Sequence, residues 1–600
     1  MLTVGSPLHG TIVSIDVGEG DLVRAGQQVV VIESMKMQHP VEATAAGFVR
    51  KIDVSVTDTV VPGQALVVLE ESPVAEEGER PEDTRAPDHL RSDLAEVLER
   101  HALGYDEARP DAVERRRRTG QRTARENVDD LCDDGSFVEY GALVIAAQRR
   151  RRDVDELIRR TPADGLVGGI GTVDGHRTIV MSYDYTVLAG TQGLQNHRKK
   201  DRLFELAETL RLPIVFFTEG GGGRPGDTDG VGVSGLDCMA FSLFAGLSGL
   251  VPLVGVNSGY CFAGNAAILG SCDVVIATAN SNIGMGGPAM IEGGGLGVHP
   301  PEDIGPMEVQ VPNGVVDIAV EDEASAVETA RRYLSYFRGS VGAWDEADQH
   351  HLRHIVPQDR LRTYDVRRVL DAMADLGSVL ELRAGFGTGM ITALARVGGR
   401  PVGIIANNPA HLGGAIDAAA ADKAARFMQL CDAFDLPIVS LCDTPGIMVG
   451  PESEQQASVR HCARMFVVGS TLTVPLLTIV LRKGYGLGAQ AMAGGSFKSP
   501  IFTVAWPTGE FGGMGLEGAV RLGYRRELDA IDDPERREQA FQEMVAAMYR
   551  HGKALNTASY FEIDDVIDPA ESRRWITAAL DSAPPPQPRT GKKRPCIDTW

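Results

Sequence analysis

The chain repeats itself at two scales, which restricts it to folds built from paired halves. In its first 70 residues "GTIVSIDV" at 10–17 matches "GFVRKIDV" at 47–54, and "AGQQVVVIE" at 25–33 matches "PGQALVVLE" at 62–70, each pair 37 residues apart. Asp21 and Val23 return as Asp58 and Val60. Each half alternates apolar and polar residues between glycine-rich turns, the period of half-buried strands. Two such halves predict a small flattened barrel or sandwich with a pseudo-twofold axis. Further on, "LPIVFFTEGGGG" at 212–223 matches "LPIVSLCDTPGI" at 436–447, 224 residues later, and "VPLVGV" at 251–256 matches "VPLLTI" at 474–479, 223 later. Strands such as "IVFF", "VVIAT", "IVSL" and "LLTIV" are apolar throughout and alternate with helical stretches, which predicts mostly parallel sheets with covered faces. Two homologous α/β units are expected, near 140–345 and 365–560.

The domain plan follows. Residues 1–70 form the small all-β domain, and 71–88, rich in proline and acid, read as an extended linker. Residues 89–350 and 351–580 are the two α/β halves. Residues 581–600, with "APPPQP", read as an extended tail.

Bulk properties exclude several partners. A net charge of −23 argues against nucleic acid, which needs a basic field. No run of about 18 apolar residues could span a membrane. The N-terminus "MLTVGSPLHG" shows no secretory signal. Eight cysteines without a C-x-x-C pair or zinc spacing predict free thiols in a reducing, cytoplasmic setting and no metal site. Two arginine runs, at 114–118 and 148–153, are expected as solvated helix faces, with a clamp for a phosphorylated ligand as the alternative.

Two features carry chemistry. The halves of the small domain meet at Ser34–Pro40, so Lys36, flanked by Met35 and Met37, is expected on the turn that joins them. In the larger units "NSGYCFAGNAAILG" at 257–270 corresponds to "RKGYGLGAQAMAGG" at 482–495, which pairs Ala263 and Gly264 with Leu487 and Gly488 at an offset of 224. A turn of small residues between strand and helix leaves amides free to hold negative charge on an oxygen.

Residues 1–70, with "ESMKM" at the turn, resemble a biotinyl carrier domain, whose lysine between two methionines is biotinylated. Lipoyl domains share that fold. Residues 89–600 resemble the carboxyltransferase subunits of acyl-CoA carboxylases of the propionyl-CoA and methylcrotonyl-CoA group. The matching stretches include "TARENVDDLCDDGSFVEYG", "TEGGGGRPGD", "CFAGNAAILGSCD", "DTPGIMVGPESE", "RKGYGLGAQAM" and "FGGMGLEGAV".

The resemblance implies a small all-β hammerhead domain followed by two tandem crotonase-like α/β domains. It implies covalent biotin on Lys36 and transfer of its carboxyl group to the α-carbon of an acyl-CoA. Carried over, one oxyanion hole falls on the amides of Ala263 and Gly264, for the thioester enolate. The other falls on Leu487 and Gly488, for the biotin ureido enolate. Gly221, Gly222 and Gly223, with the glycine-rich stretch 284–297, are expected to shape the acyl and pantetheine channel. Gln490 stands where propionyl-type enzymes carry an acid that influences acyl choice, so the acyl chain is open.

The histidines His197, His299, His411 and His461 are expected to be structural. The chain has neither a G-x-x-x-x-G-K-[ST] phosphate loop nor an ATP-grasp domain. The resemblance therefore implies a separate biotin carboxylase subunit using ATP, Mg and bicarbonate, a biotin protein ligase, and a homo-oligomer between dimer and hexamer. Two other readings are a biotin-dependent acyl-CoA decarboxylase component and a non-catalytic carrier scaffold.

Overall fold

The strands of the small domain pair as the shorter repeat requires. They are β1 (Leu2–Gly5), β2 (Gly10–Ile15), β3 (Leu22–Val23), β4 (Gln28–Ser34), β5 (Met37–Glu42), β6 (Gly47–Ile52), β7 (Thr59–Val60) and β8 (Ala65–Glu71). One sheet runs β1-β8-β6-β3 and the other β5-β4-β2-β7, so exchanging every strand for its repeat partner converts one sheet into the other. Val4, Ile12, Ile32, Val49, Val67 and Leu69 fill the space between the sheets. Two glycines at equivalent positions permit the close strand crossing. A Cβ on Gly10 would lie 2.4 Å from the Glu33 carbonyl oxygen, and one on Gly47 would lie 2.2 Å from that of Glu70.

The computed structural model describes residues 1–72, 90–230 and 232–600. The expected linker, 71–88, thus falls almost wholly outside the described residues. The chain divides into two units, 1–95 and 96–600.

In the second unit the longer repeat becomes two sheets of matching order. The first comprises β9 (Val138–Glu139), β10 (Leu166–Val173), β11 (His176–Tyr183), β12 (Ile214–Phe217), β13 (Leu253–Asn257), β15 (Val274–Thr278) and β17 (Ile318–Val320). Beside it β14 (Tyr260–Phe262) pairs with β16 (Asn282–Gly284). The second comprises β18 (Leu380–Leu382), β19 (Met390–Val397), β20 (Arg400–Asn407), β21 (Ile438–Thr444), β22 (Leu476–Tyr485), β23 (Phe502–Ala505) and β25 (Asp565–Val566). There the end of β22 pairs with β24 (Glu510–Gly512). In each sheet two antiparallel pairings are followed by four parallel ones. β12, β13, β15 and β21 are buried along their length, as expected of strands covered on both faces.

The two halves share a core. The helix Ala418–Ala433 of the second half is buried at every residue but Ala419. Its residues Phe427, Met428 and Leu430 belong to one apolar cluster that also contains Val254 and Tyr333 of the first half. Arg426 donates to the Asp273 carbonyl at 2.7 Å, and Arg383 pairs with Asp317 at 2.9 Å, both across the junction.

The last stretch has no helix or strand after Ser582, as expected, but it is packed rather than free. Ile597 is 4% exposed and sits in the shared core, hydrogen-bonded with Ser248 of the first half. Asp598 meets Gln429 and Arg464, Arg594 pairs with Asp432, and the Trp600 ring lies 5.0 Å from Phe386. No helix among the described residues is long and apolar enough to cross a membrane.

Candidate active site

On the small domain, β4 and β5 form a two-residue hairpin in which Ser34 faces Met37. Its central residues are Met35 and Lys36, with φ of 52° and 67°. Positive φ at both central positions marks the type I′ turn, which usually takes Asn-Gly because other residues are strained there. The strain is borne on an exposed turn. Met35 is 95% exposed, Met37 is 65% exposed, and the Lys36 amine has no partner among the described residues. A lysine on a rigid, projecting turn with an unengaged amine suits covalent attachment of a cofactor.

On the second unit, the expected site residues gather beyond the C-terminal ends of the strands. In the first half the turn after β14 leads into the helix Gly264–Gly270. Ala263 precedes it with φ 52° and ψ −119°, a strained conformation for a residue with a Cβ. In the second half Gly486, with φ 54°, opens the helix Gly486–Met492 directly after β22.

The strand pairing fixes how the two turns correspond. Tyr260 and Phe262 of β14 face Asn282 and Gly284, while Lys483 and Tyr485 of β22 face Glu510 and Gly512. Tyr260 therefore corresponds to Lys483 and Ala263 to Gly486, an offset of 223 rather than 224. This register pairs Ala263, expected as an oxyanion donor, with Gly486 instead of Leu487. The Ala263 amide is spent on the Gly284 carbonyl at 3.0 Å. The counterparts of Leu487 and Gly488 are Gly264 and Asn265. All four of these amides lie in the first turn of a helix, where no intrahelical acceptor exists, and none has a partner among the described residues. Asn265 carries no such expectation in the sequence, because its side chain suggests a structural role, and it is fully buried. The signal for it was the change from 224 to 223 between the two matched strand pairs.

Glycine loops brace each turn. Gly222 (φ 87°) gives its amide to Asn265 Oδ1 at 3.1 Å and its carbonyl accepts from the Gln192 amide at 2.7 Å. A Cβ there would lie 2.7 Å from Ala263 Cβ. Gly221 donates to the Ala189 carbonyl at 3.0 Å, whereas a Cβ on Gly223 would meet nothing within 4 Å. In the second half Gly446 (φ 126°) plays the part of Gly222. Its carbonyl accepts from Ile416, and a Cβ on Gly488 would lie 2.7 Å from Gly446 Cα.

Charged side chains lie behind these loops. Asp443, fully buried, accepts from Tyr364 at 2.8 Å and pairs with Lys483 at 3.1 Å and Arg482 at 3.2 Å. Glu219, just before the glycine loop, is held by Arg116 and Gln121. Burial pushes its carboxyl up to about 7 against the pull of Arg116.

Gln490 lines a cavity of about 1210 Å³ beside Leu487, with Phe497, Phe511, Met514 and Met548 in its walls. The arginine runs behave differently from two solvated faces. Arg116 is buried, and Arg115 of the first run and Arg152 of the second line one 340 Å³ cleft with Arg109, Arg159 and Arg160. His197 is held neutral, since burial first, then Lys200 and Arg224, lower it to about 3, and it lies 3.0 Å from the Cys238 thiol. His411 and His461 face Asp417 and Asp422, and His299 is exposed. No cluster of metal-ligating side chains occurs among the described residues.

Comparison with known proteins agrees with this geometry. Residues 115–590 match the carboxyl transferase domain family, and residues 2–69 match the biotin-requiring enzyme family. The methylmalonyl-CoA carboxyltransferase 12S subunit of Propionibacterium freudenreichii subsp. shermanii is 35% identical over 81% of this chain and 93% of its own. A biotin-dependent long chain acyl-coenzyme A carboxylase beta4 subunit of Mycobacterium tuberculosis is 34% identical over 81% and 93%. Among solved structures, a single-chain, multi-domain long-chain acyl-CoA carboxylase superposes with a TM-score of 0.79 at 57% identity. That match covers 96% of this chain, which spans only 56% of that one. The transcarboxylase 12S structure, a hexamer assembly with methylmalonyl-coenzyme A bound, superposes with a TM-score of 0.73 at 32% identity over 84% of this chain and 98% of its own. The duplicated sheets, the lysine hairpin and these matches together place the chain in the carboxyl transferase family, as a fused biotin carrier and carboxyltransferase of the acyl-CoA carboxylases.

Proposed function

We propose that the second unit exchanges an α-proton of an acyl-CoA thioester, by way of its enolate, for the carboxyl group of a carboxybiotin donor, whose nitrogen–carboxyl bond would be replaced by a nitrogen–hydrogen bond. In this reading the amides of Gly264 and Asn265 hold the thioester oxygen, and those of Leu487 and Gly488 hold the carboxyl donor. Biotin amide-linked to Lys36, with Met35 and Met37 beside it, supplies the carboxyl group when charged. The observation that carries the proposal is the equivalence of the two turns: in each duplicated half, two consecutive amides without partners occupy the same place. Preorganised amides stabilise an oxyanion without reorganising, and each is worth about 3 kcal/mol in comparable sites. The buried partners of Gly222 and the packing of Gly446 on Gly488 keep the donors in place.

The substrate proposed is a long-chain acyl-CoA. The cavity beside Gln490 exceeds the roughly 300–1,000 Å³ typical of small-ligand sites, and its walls are largely apolar. The relatives named as long-chain enzymes agree with it. The arginine cleft beside Leu188 suits the CoA phosphates, with Gly221, Gly222 and Gly223 toward the acyl side.

Charging requires a biotin carboxylase that uses ATP, Mg and bicarbonate, and attachment requires a biotin protein ligase. We place the protein in the cytoplasm as a homo-oligomer. Exposed Met285, Met290 and Leu296 in one half, and Leu487, Met514 and Leu522 in the other, are surfaces such an assembly would cover.

The test runs the transfer backwards. Purified protein receives free biotin and a panel of malonyl-, methylmalonyl- and long alkylmalonyl-CoAs, and release of the decarboxylated thioester is followed. Biotin-dependent turnover that is fastest with a long alkyl member, and lost in Gly488→Pro, is expected. Turnover confined to methylmalonyl-CoA would reject the long-chain assignment, and activity retained in Gly488→Pro would reject the amide donors.

A further inference from the structure

Both proposed holes lie beyond the C-terminal ends of the strands. A different cavity, of about 650 Å³, opens at the opposite ends. It touches the start of β11 at Arg177, the approaches to β12 and β13 at Pro213 and Pro252, the start of β20 at Pro401 and the approach to β21 at Leu436. Both halves thus wall it, and the packed final stretch completes it through Pro586, Arg589 and Gly591. At about 3.3 Å per residue, β12 and its ends put roughly 20 Å between Pro213 here and Gly220 at the glycine loop. The cavity is therefore separate from the site already described.

Its chemistry is one-sided. Arg177, Arg211, Arg338, Arg589 and His176 contribute to the lining, against a single acid, Asp435, which is already paired with Arg589 and Lys593. Arg177 and Arg211 have no partner among the described residues. Arg338 uses Nη1 on Asp174 at 3.0 Å, while its Nη2 is buried without a hydrogen bond. A buried guanidinium nitrogen left unsatisfied is costly and marks a place where an acceptor is missing. The rest of the wall is apolar, built from side chains such as Leu250, Val251, Leu334, Phe337 and Phe434. Arg589 lies over the Phe434 ring at 5.5 Å, which fixes one cation at the edge of that apolar wall. A cavity of this size at a junction between halves, apolar with a few convergent polar groups, has the anatomy of a ligand site.

We propose that this cavity binds an amphipathic organic anion, an alkyl chain ending in a carboxylate or phosphate, with the head on Arg338 and the exposed Arg177 and Arg211, and the chain against Phe337 and Phe434. Because both sheets and the final stretch contribute walls, the ligand holds the two halves in one arrangement.

The experiment uses the full chain. Dodecanoate, dodecyl phosphate and the neutral dodecanol are titrated by calorimetry, with wild type, Arg177→Glu, and Arg338→Met combined with Arg177→Glu. Saturable binding of both anions, absent for dodecanol and weakened about tenfold or more in the double variant, is expected from loss of charge-assisted hydrogen bonds. The exposed Arg177→Glu variant alone should weaken binding while leaving the fold unaffected by circular dichroism. Equal binding of dodecanol would show a merely apolar cavity and overturn the proposal. Anion binding unchanged in both variants would place it elsewhere, and no binding at all would mean that the cavity is filled or covered in the assembled protein. Either result rejects the assignment.

Discussion

At the scale of single residues, the tightest constraint is at Gly488. A Cβ there would meet the Cα and carbonyl carbon of Gly446 at 2.7 Å, and backbone cannot retreat as a side-chain tip can. Gly488→Ala should therefore displace the amide it carries and lower kcat in the reverse assay about a hundredfold, the cost of one lost oxyanion donor. Gly342→Ala, outside the site, serves as the contrast, because its Cβ would meet nothing within 4 Å and activity should stay near wild type. Equal losses in both would mean that glycine content, not amide placement, governs the site. A second residue-scale prediction concerns His197, whose neutral form is favoured in the folded state, with its pKa lowered from 6.5 to about 3. Unfolded chain takes up the proton below about 6.5 while folded chain resists it, so this contribution is intact above 6.5 and lost as pH falls toward 3. In His197→Gln the loss of denaturant resistance between pH 6.5 and pH 4.5 should be smaller than in wild type. An identical loss would show that His197 titrates normally in the fold.

At the scale of elements, the hairpin carrying Lys36 combines function with strain. Met35 occupies a left-handed position at φ 52°, where Asn is better tolerated. Met35→Asn should raise the unfolding free energy of the carrier by about 1 kcal/mol, the usual order of left-handed strain. Denaturant melts followed by carrier-domain signals would measure it, and a fall in stability would mean that the methionine makes contacts worth more than the strain. The same scale shows what could be read beforehand. Strand order was legible, because each repeat partner had to occupy an equivalent place in its sheet, and so were the Lys36 turn and the positions of Leu487 and Gly488. The register at the first turn was not. A single extra residue between β12 and β13 relative to β21 and β22 moves the pairing from Ala263 to Gly264; the change of offset signals it, but only the strand ladders show that the turn falls after it. The cavity on the far side was equally invisible, since its arginines come from separate strand starts and the final stretch, with no shared motif.

At the scale of the whole molecule, the two halves behave as one body, and the last residues are part of the joint. Ile597 is buried between them, so Ile597→Ala should cost about 3 kcal/mol by leaving a cavity in a shared core. The expected signature in calorimetry is one transition shifted down in temperature. If the transition instead splits in two, Ile597 is holding together halves that can each stand alone, and if it does not move the residue is peripheral.

That packing also sets an order of events during synthesis. Chains are made from the N-terminus, and early units start to fold before later ones exist. Here the first half can build its sheet, but Ser248 waits for Ile597, some 350 residues later, before its hydroxyl has its partner. A ribosome pausing anywhere short of residue 597 thus holds a half-built junction with apolar surface open to solvent. The nascent chain needs a chaperone for the first half's open junction until residue 597 has emerged.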